Sequence, residues 1–161
     1  MTQLAPIGEG LVNGVSHIAI GVSDMERSLP FYRDVLGLEV TVDRVEVSGG
    51  AHPKNRRACY LRWTRGATSS YVVLDQHLDR PPTGSPAELF QLGVHHVSFL
   101  TTDIEAVIAR AQDAGFEVWS EGRPGLRDGS ANGEPDGEHV VKTIIMRDPD
   151  GTLVQFDQWM S

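Results

Sequence analysis

Cysteine is nearly absent from this sequence. A single residue, Cys59, among 161 excludes an internal disulfide and with it the small disulfide-stapled folds. Set between Ala58 and Tyr60 in an apolar-alternating stretch, it reads as a small buried hydrophobe rather than a catalytic thiol. Long apolar runs are missing as well. Nothing approaches the roughly 20 residues that cross a bilayer, and the opening Met-Thr-Gln-Leu-Ala-Pro lacks the charged-then-apolar order of a signal peptide, so a cytoplasmic location is expected. Basic charge is scarce: 14 Lys and Arg against 22 Asp and Glu leave a formal charge of −8, which repels phosphate backbones and anionic lipid. Neither nucleic acid nor membrane is expected as a partner, and the one basic run, Lys54-Asn55-Arg56-Arg57, reads as a solvated loop. What remains is ordinary globular material, 40% hydrophobic and 22% charged, long enough for one domain or two small units sharing a core.

The chain repeats itself. Ser16-His17-Ile18-Ala19-Ile20 returns as His95-His96-Val97-Ser98-Phe99, with His17 and His96 79 residues apart, and Asp24 and Asp103 keep that offset. Gly37-Leu38-Glu39-Val40 returns as Gly115-Phe116-Glu117-Val118. Each copy opens with a strand-like run and then a helix entrance. Ser23-Asp24-Met25-Glu26 and Thr102-Asp103-Ile104-Glu105 match the capping box, in which the hydroxyl accepts from a backbone N–H three residues on. Ile104, Val107, Ile108 and Ala111 share one face of a helix. Pro30 sits inside the first helix and removes a donor to Glu26, so a kink is expected. Gly37 and Gly115 end the two helices.

Strands are expected over 39–47, 58–64 and 70–76 in the first copy, and over 117–120, 140–147 and 152–159 in the second. Asp148-Pro149-Asp150-Gly151 places its residues as a type I turn demands. Its likeness to an EF-hand loop is superficial, since the Glu expected at loop position 12 is absent. The stretch from Arg80 to Pro86 reads as a linker, and the glycine-rich Arg123 to Gly137 as a long loop that can cover a site. The organisation is then an extension over 1–13, a first module over 14–77, a linker over 78–92 and a second module over 93–159.

Two βαβββ modules with His-[Ile/Val]-[Ala/Ser] in each first strand, Phe31-Tyr32-Arg33-Asp34-Val35-Leu36-Gly37 closing the first helix, and Arg147-Asp148-Pro149-Asp150-Gly151 before the last strand together resemble the vicinal oxygen chelate superfamily. Its members include glyoxalase I, methylmalonyl-CoA epimerase, extradiol dioxygenases and the bleomycin-resistance proteins. The resemblance covers residues 14 to 159 and implies an α+β fold, two modules pairing into a curved mixed sheet that encloses a cup. It speaks to fold far more than to reaction. It also implies a small-molecule substrate or ligand and a homodimer.

Strand alternation puts His17, Ala19 and Gly21 on one face and His96 with Ser98 on the matching face of the second copy. Two repeat-related histidines facing a shared cup point to a metal site; His95 reads as structural. Tyr71-Val72-Val73-Leu74-Asp75-Gln76 aligns with Leu153-Val154-Gln155-Phe156-Asp157-Gln158, and in the family those strands supply further ligands, commonly Glu, where this chain has Val73 and Gln155. The resemblance thus implies a first shell of His17, His96 and Gln155 around a divalent ion, with Fe, Mn, Zn, Ni or Co equally suited. Asp75 and Asp157, two residues further on, are candidates for a displaced ligand, an orienting group or a base, with a solvated rim position as the alternative. Tyr60 and Arg62 alternate with Cys59, Leu61 and Trp63, so they point into the cup, where they bind an oxyanion or stack on a ring, while the apolar three pack the helix. His139 is a weaker candidate, read as exposed. Trp119, Trp159 and Phe116 read as core or interface.

With no carboxylate at either glutamate position, glyoxalase-type proton transfer is disfavoured. The leading expectation is a metal-dependent dioxygenase, lyase or isomerase acting on a small substrate with vicinal oxygens, aromatic ones included. The alternative is a metal-free protein that sequesters a drug or natural product, as bleomycin-resistance proteins do, with the acidic surface favouring a cationic ligand.

Overall fold

The computed structural model describes residues 12, 14–128 and 138–160. Apart from Val12, the N-terminal extension lies outside the described residues, as does 129–137 of the expected loop. The first half forms β1 (His17–Gly21), α1 (Met25–Pro30), β2 (Glu39–Val47), β3 (Asn55–Arg62) and β4 (Tyr71–His77). The second forms β5 (His96–Leu100), α2 (Ile104–Asp113), β6 (Val118–Glu121), β7 (Gly125–Asp128), β8 (Glu138–Arg147) and β9 (Leu153–Trp159). The class is α+β, as expected. Each half makes its own open mixed sheet, β1-β4-β3-β2 and β5-β9-β8-β6, and β7 also pairs with β8. In both, the first strand runs parallel to the last and forms an edge. The residues after Arg123 therefore open with a strand where a loop was expected.

Local chemistry explains the helix ends. The caps are Asp24, which accepts from the Glu26 N–H at 2.9 Å, and Asp103, which accepts from Ala106 at 3.0 Å. The expected caps, Ser23 and Thr102, lie one residue too early, and the carboxylates of Asp24 and Asp103 take the N-cap role instead. The last strands finish both helix entrances: Gln76 Oε1 accepts from Met25 N–H at 3.0 Å and Gln158 Oε1 from Ile104 N–H at 2.8 Å. Pro30 does interrupt α1. The chain passes directly into a π-helical turn over Phe31–Val35, where Leu36 N–H reaches Phe31 O at 3.2 Å. Such wide turns absorb a missing donor without breaking the axis. Gly37 then takes φ +71° and ends the element.

The basic run is not a loop. It opens β3 three residues earlier than expected, because each guanidinium finds carboxylates on neighbouring elements. Arg56 binds Glu46 (2.6 Å) and Asp75 (2.7 Å), and Arg57 binds Asp43 (2.7 Å) and Glu26 (2.5 Å). Cys59 is buried as expected, and burial pushes its thiol up to about 11, far from a reactive thiolate.

One core serves both halves. Ile20, Met25, Phe31, Tyr32, Leu61 and Leu74 join Ile104, Ala111, Ile144, Met146 and Phe156 in a single buried cluster. Phe31 meets Phe116 edge-on at 5.1 Å. Trp63, expected against the first helix, is 47% exposed and instead meets Phe99 of β5 edge-on at 5.8 Å. A polar lock closes the junction: Tyr32 Oη donates to buried Asp148 Oδ2 at 2.7 Å, and Asp148 Oδ1 accepts from the N–H groups of Asp150 and Thr152 at 3.0 and 2.7 Å. Asp150 accepts from the Ser23 N–H at 2.8 Å and from the hydroxyls of Ser23 and Ser28. Because the helix-facing sides of both sheets are spent in this shared core, their other faces turn outward.

Burial holds the Asp148 carboxyl above the usual range and raises the Tyr32 phenol well above its own. Tyr32→Phe removes the donor and leaves a buried carboxylate short of a partner, a loss of about 1–3 kcal/mol. The variant's Asp148 then titrates higher still, so the native state holds its proton more tightly than the unfolded chain. The deficit is full at neutral pH and shrinks as pH falls through that raised value. Urea unfolding at neutral and mildly acidic pH measures both.

Candidate functional site

On the outward face of the first sheet, register sets His17 beside Tyr71 and Ala19 beside Val73, with Tyr60 across from Val73. Tyr71 is the hub. Its ring stacks on His17 at 5.2 Å and on Tyr60 at 5.8 Å, and the Arg62 guanidinium carbon sits 4.3 Å from its centroid. Sequence reasoning singled out three of these four and missed Tyr71, although its parity with Val73 and Asp75 places it on the same face. Arg56 closes one end, holding Asp75 at 2.7 Å and reaching the Tyr60 hydroxyl at 3.4 Å.

The second sheet carries the polar half. Gln155 lies across from Ser98, as Val73 does from Ala19, so the two candidate positions are structurally equivalent. Asp157 is buried, and its carboxylate accepts from Ser98 Oγ (2.7 Å), Thr143 Oγ1 (2.5 Å) and Gln155 Nε2 (3.0 Å). It does not sit at a solvated rim. It orients Gln155, whose carbonyl oxygen is thereby directed away from it. Asp75 likewise is ion-paired rather than solvated. His95 precedes β5 and shares a hydrogen bond with His96, Nδ1 to Nδ1 at 2.8 Å. His139 is half-buried, its ring edge-on to Trp159 at 5.0 Å, rather than exposed. Trp119 is 44% exposed and covers Arg147 at 4.8 Å, outside the core.

The structure thus gathers His17 with Tyr60, Arg62 and Tyr71 on one sheet, and His96 with Gln155 and Asp157 on the other. The two groups lie on separate sheets. Among the described residues no three His, Cys, Asp or Glu side chains lie close enough to hold a metal. The donors His17, His96 and Gln155 bring no negative charge, and His17 is engaged in a ring stack. Neutral nitrogen and oxygen donors of this kind suit a divalent ion where the three meet.

The molecule is thus two open mixed sheets, each with a histidine on its first strand. The chain belongs to the Glyoxalase/Bleomycin resistance protein/Dioxygenase superfamily, whose family model matches residues 14–156. An ethylmalonyl-CoA/methylmalonyl-CoA epimerase of Cereibacter sphaeroides is 26% identical, covering 92% of this chain and 99% of its own. Among solved structures, a glyoxalase family protein from Bacillus cereus superposes with a TM-score of 0.72 at 14% identity, over 97% of this chain and all of the other. TnmS3, an antibiotic binding protein from Streptomyces sp. CB03234, superposes with a TM-score of 0.59 at 22% identity, over 94% and 99%. No helix among the described residues is long and apolar enough to cross a membrane.

Gln155→Glu places a second carboxylate against Asp157, where the two cannot both ionise cheaply. The pair's folded-state titration rises above its unfolded value, so the variant is about 1–3 kcal/mol less stable than the parent at neutral pH and regains that stability as pH falls. Thermal melts across a pH series test this; a deficit independent of pH contradicts the placement of Gln155 on Asp157.

Proposed function

We propose that the chain works as a homodimer whose cups hold a small, flat, oxygen-bearing molecule. Each cup is formed by the outward face of one copy's first sheet and that of the other copy's second sheet. The observation behind this is the shared core: the helix-facing sides are used up inside one chain, which leaves the faces of His17 and His96 for a second copy. The edge strands β1 and β5 and the 74% exposure of Leu100 on β5 support the same reading, because unpaired edges and bare apolar groups call for cover. In such a cup the His17–Tyr71–Tyr60 stack offers its rings to a planar ligand, and Gln155, steadied by Asp157, offers a hydrogen-bonding oxygen. Binding alone, the role that the name of the Streptomyces relative gives it, needs nothing beyond this surface.

A second reading, an enzyme assisted by a divalent ion, is favoured by the hold of Asp157 on Gln155 Nε2, which leaves Oε1 for a cation. His17 of one copy with His96 and Gln155 of the partner subunit would then offer three uncharged donors to Fe, Mn, Zn, Ni or Co. Such an ion supplies Lewis-acid chemistry for oxygenase, lyase or isomerase reactions. Base-driven glyoxalase I or epimerase chemistry is less well supported, because Asp75 is committed to Arg56 and Asp157 to three donors.

Mixing separates the arrangements. His17→Ala and His96→Ala each remove one side of every cup, whereas a mixed dimer of the two variants contains one cup with both histidines. Recovery of ligand or metal binding after co-refolding, read by tryptophan fluorescence and elemental analysis beside sedimentation, is the expected result. A monomer, or no recovery in a proven mixed dimer, overturns the shared cup. Metal content in the parent that both single variants lose supports the second reading over the first.

A further inference from the structure

The duplication extends to a pair of arginines. Arg62 ends β3 and Arg147 ends β8, the equivalent strand of each module. Arg147 shares a row with Leu153 and His96, and Arg62 lies one step beyond the Leu61–Val72 pair, next to Tyr71 and hence in the row of His17. Each guanidinium lies against an aromatic ring, Tyr71 at 4.3 Å or Trp119 at 4.8 Å. Each spends one amino group on a loop. Arg62 Nη1 donates to Ser69 O (3.1 Å), Ser69 Oγ (2.9 Å) and Gly66 O (3.5 Å), and Arg147 Nη1 donates to Ala87 O (2.9 Å) and Gly151 O (3.1 Å).

Both are half-buried, and neither meets a carboxylate among the described residues. The other half-buried arginines, Arg56 and Arg57, both do, whereas Arg27, Arg80, Arg110 and Arg123, which like Arg62 and Arg147 meet none among the described residues, are exposed to water. Partial burial of a cation without a counter-ion costs desolvation energy that an arriving anion would offset. Nε and Nη2 of both have no acceptor among the described residues. Those N–H groups form the planar fork that matches a carboxylate, and stacking and the loop bonds hold each fork in place beforehand.

We propose that Arg62 and Arg147 are the anion receptors of the cup and that its ligand is a flat carboxylic acid. This rests on the shared-cup reading above and sharpens it. Whole-chain charge favours a cationic ligand, but the cup responds to its own lining. There Arg44 and Arg56 are balanced by Glu46 and Asp75, while these two arginines are not.

Naphthoate and its neutral near-isostere naphthamide test the claim on the full-length dimer by equilibrium dialysis. Parent protein is expected to bind the acid about ten-fold or more tighter than the amide, the scale of charge-assisted hydrogen bonds. Arg62→Gln and Arg147→Gln should each shrink the acid-to-amide ratio, whereas mere loop anchoring would lower both affinities alike. Arg62→Lys, which keeps charge but loses the fork, should fall between. Equal affinity of the parent for acid and amide overturns the anion receptors and leaves the cup standing, and that ratio decides even where a variant fails to fold. Binding of neither probe to a proven dimer overturns the flat-ligand reading along with this one.

Discussion

The hydrogen bond from Tyr32 to buried Asp148 governs how the two halves of this molecule sit. It ties the π-helical turn after α1 to the turn before β9. A carboxylate so deeply placed is stable only because three donors converge on it, one phenol and two backbone N–H groups. Asp150 adds the hydroxyls of Ser23 and Ser28, and the Gly151 turn packs against Pro86, where a Cβ would come within 2.5 Å. With the linker thus held against the second module and α1 held against its turn, the apolar faces of both sheets close over one core that the helices fill.

The consequence for chemistry is a division of labour. One outward face is aromatic and cationic, built on Tyr71. The other is polar, built on Asp157 with Ser98, Thr143 and Gln155 donating to it. Potential bases are already committed, Asp75 to an arginine and Asp157 to a hydrogen-bonded shell, so this surface is suited to orienting and stacking more than to abstracting protons. Val73 and Gln155 suit their surroundings: Val73 sits beside Ala19 and Tyr60, and Gln155 uses its amide nitrogen where a carboxylate would repel Asp157.

Much of the fold was legible because short-range chemistry dictates it. The 79-residue repeat, the helix ends at Gly37 and Gly115, the break at Pro30 and the turn at Asp148–Gly151 depend on neighbours a few residues away, and the strand alternation that put His17, Tyr60, Arg62, His96 and Gln155 on outward faces depends on parity alone. Readings failed where a distant partner intervened. Arg56 and Arg57 looked like a solvated loop until carboxylates on β2, β4 and α1 drew them into a strand. Trp63 looked like a core residue of its own module and instead meets Phe99 of the other. Trp119 likewise became the cover of Arg147, and Tyr71 and Arg147 gained their significance only from the rings and carbonyls around them.

By itself, then, the sequence determined two duplicated βαβββ modules, their family, and which side chains share a face, since periodicity and capping act within a few residues. Only the tertiary structure decided which faces meet. The burial of Tyr32 and Asp148 between modules, and the single core that encloses them, turn His17 and His96 outward on separate sheets, because an apolar sheet face can be spent only once.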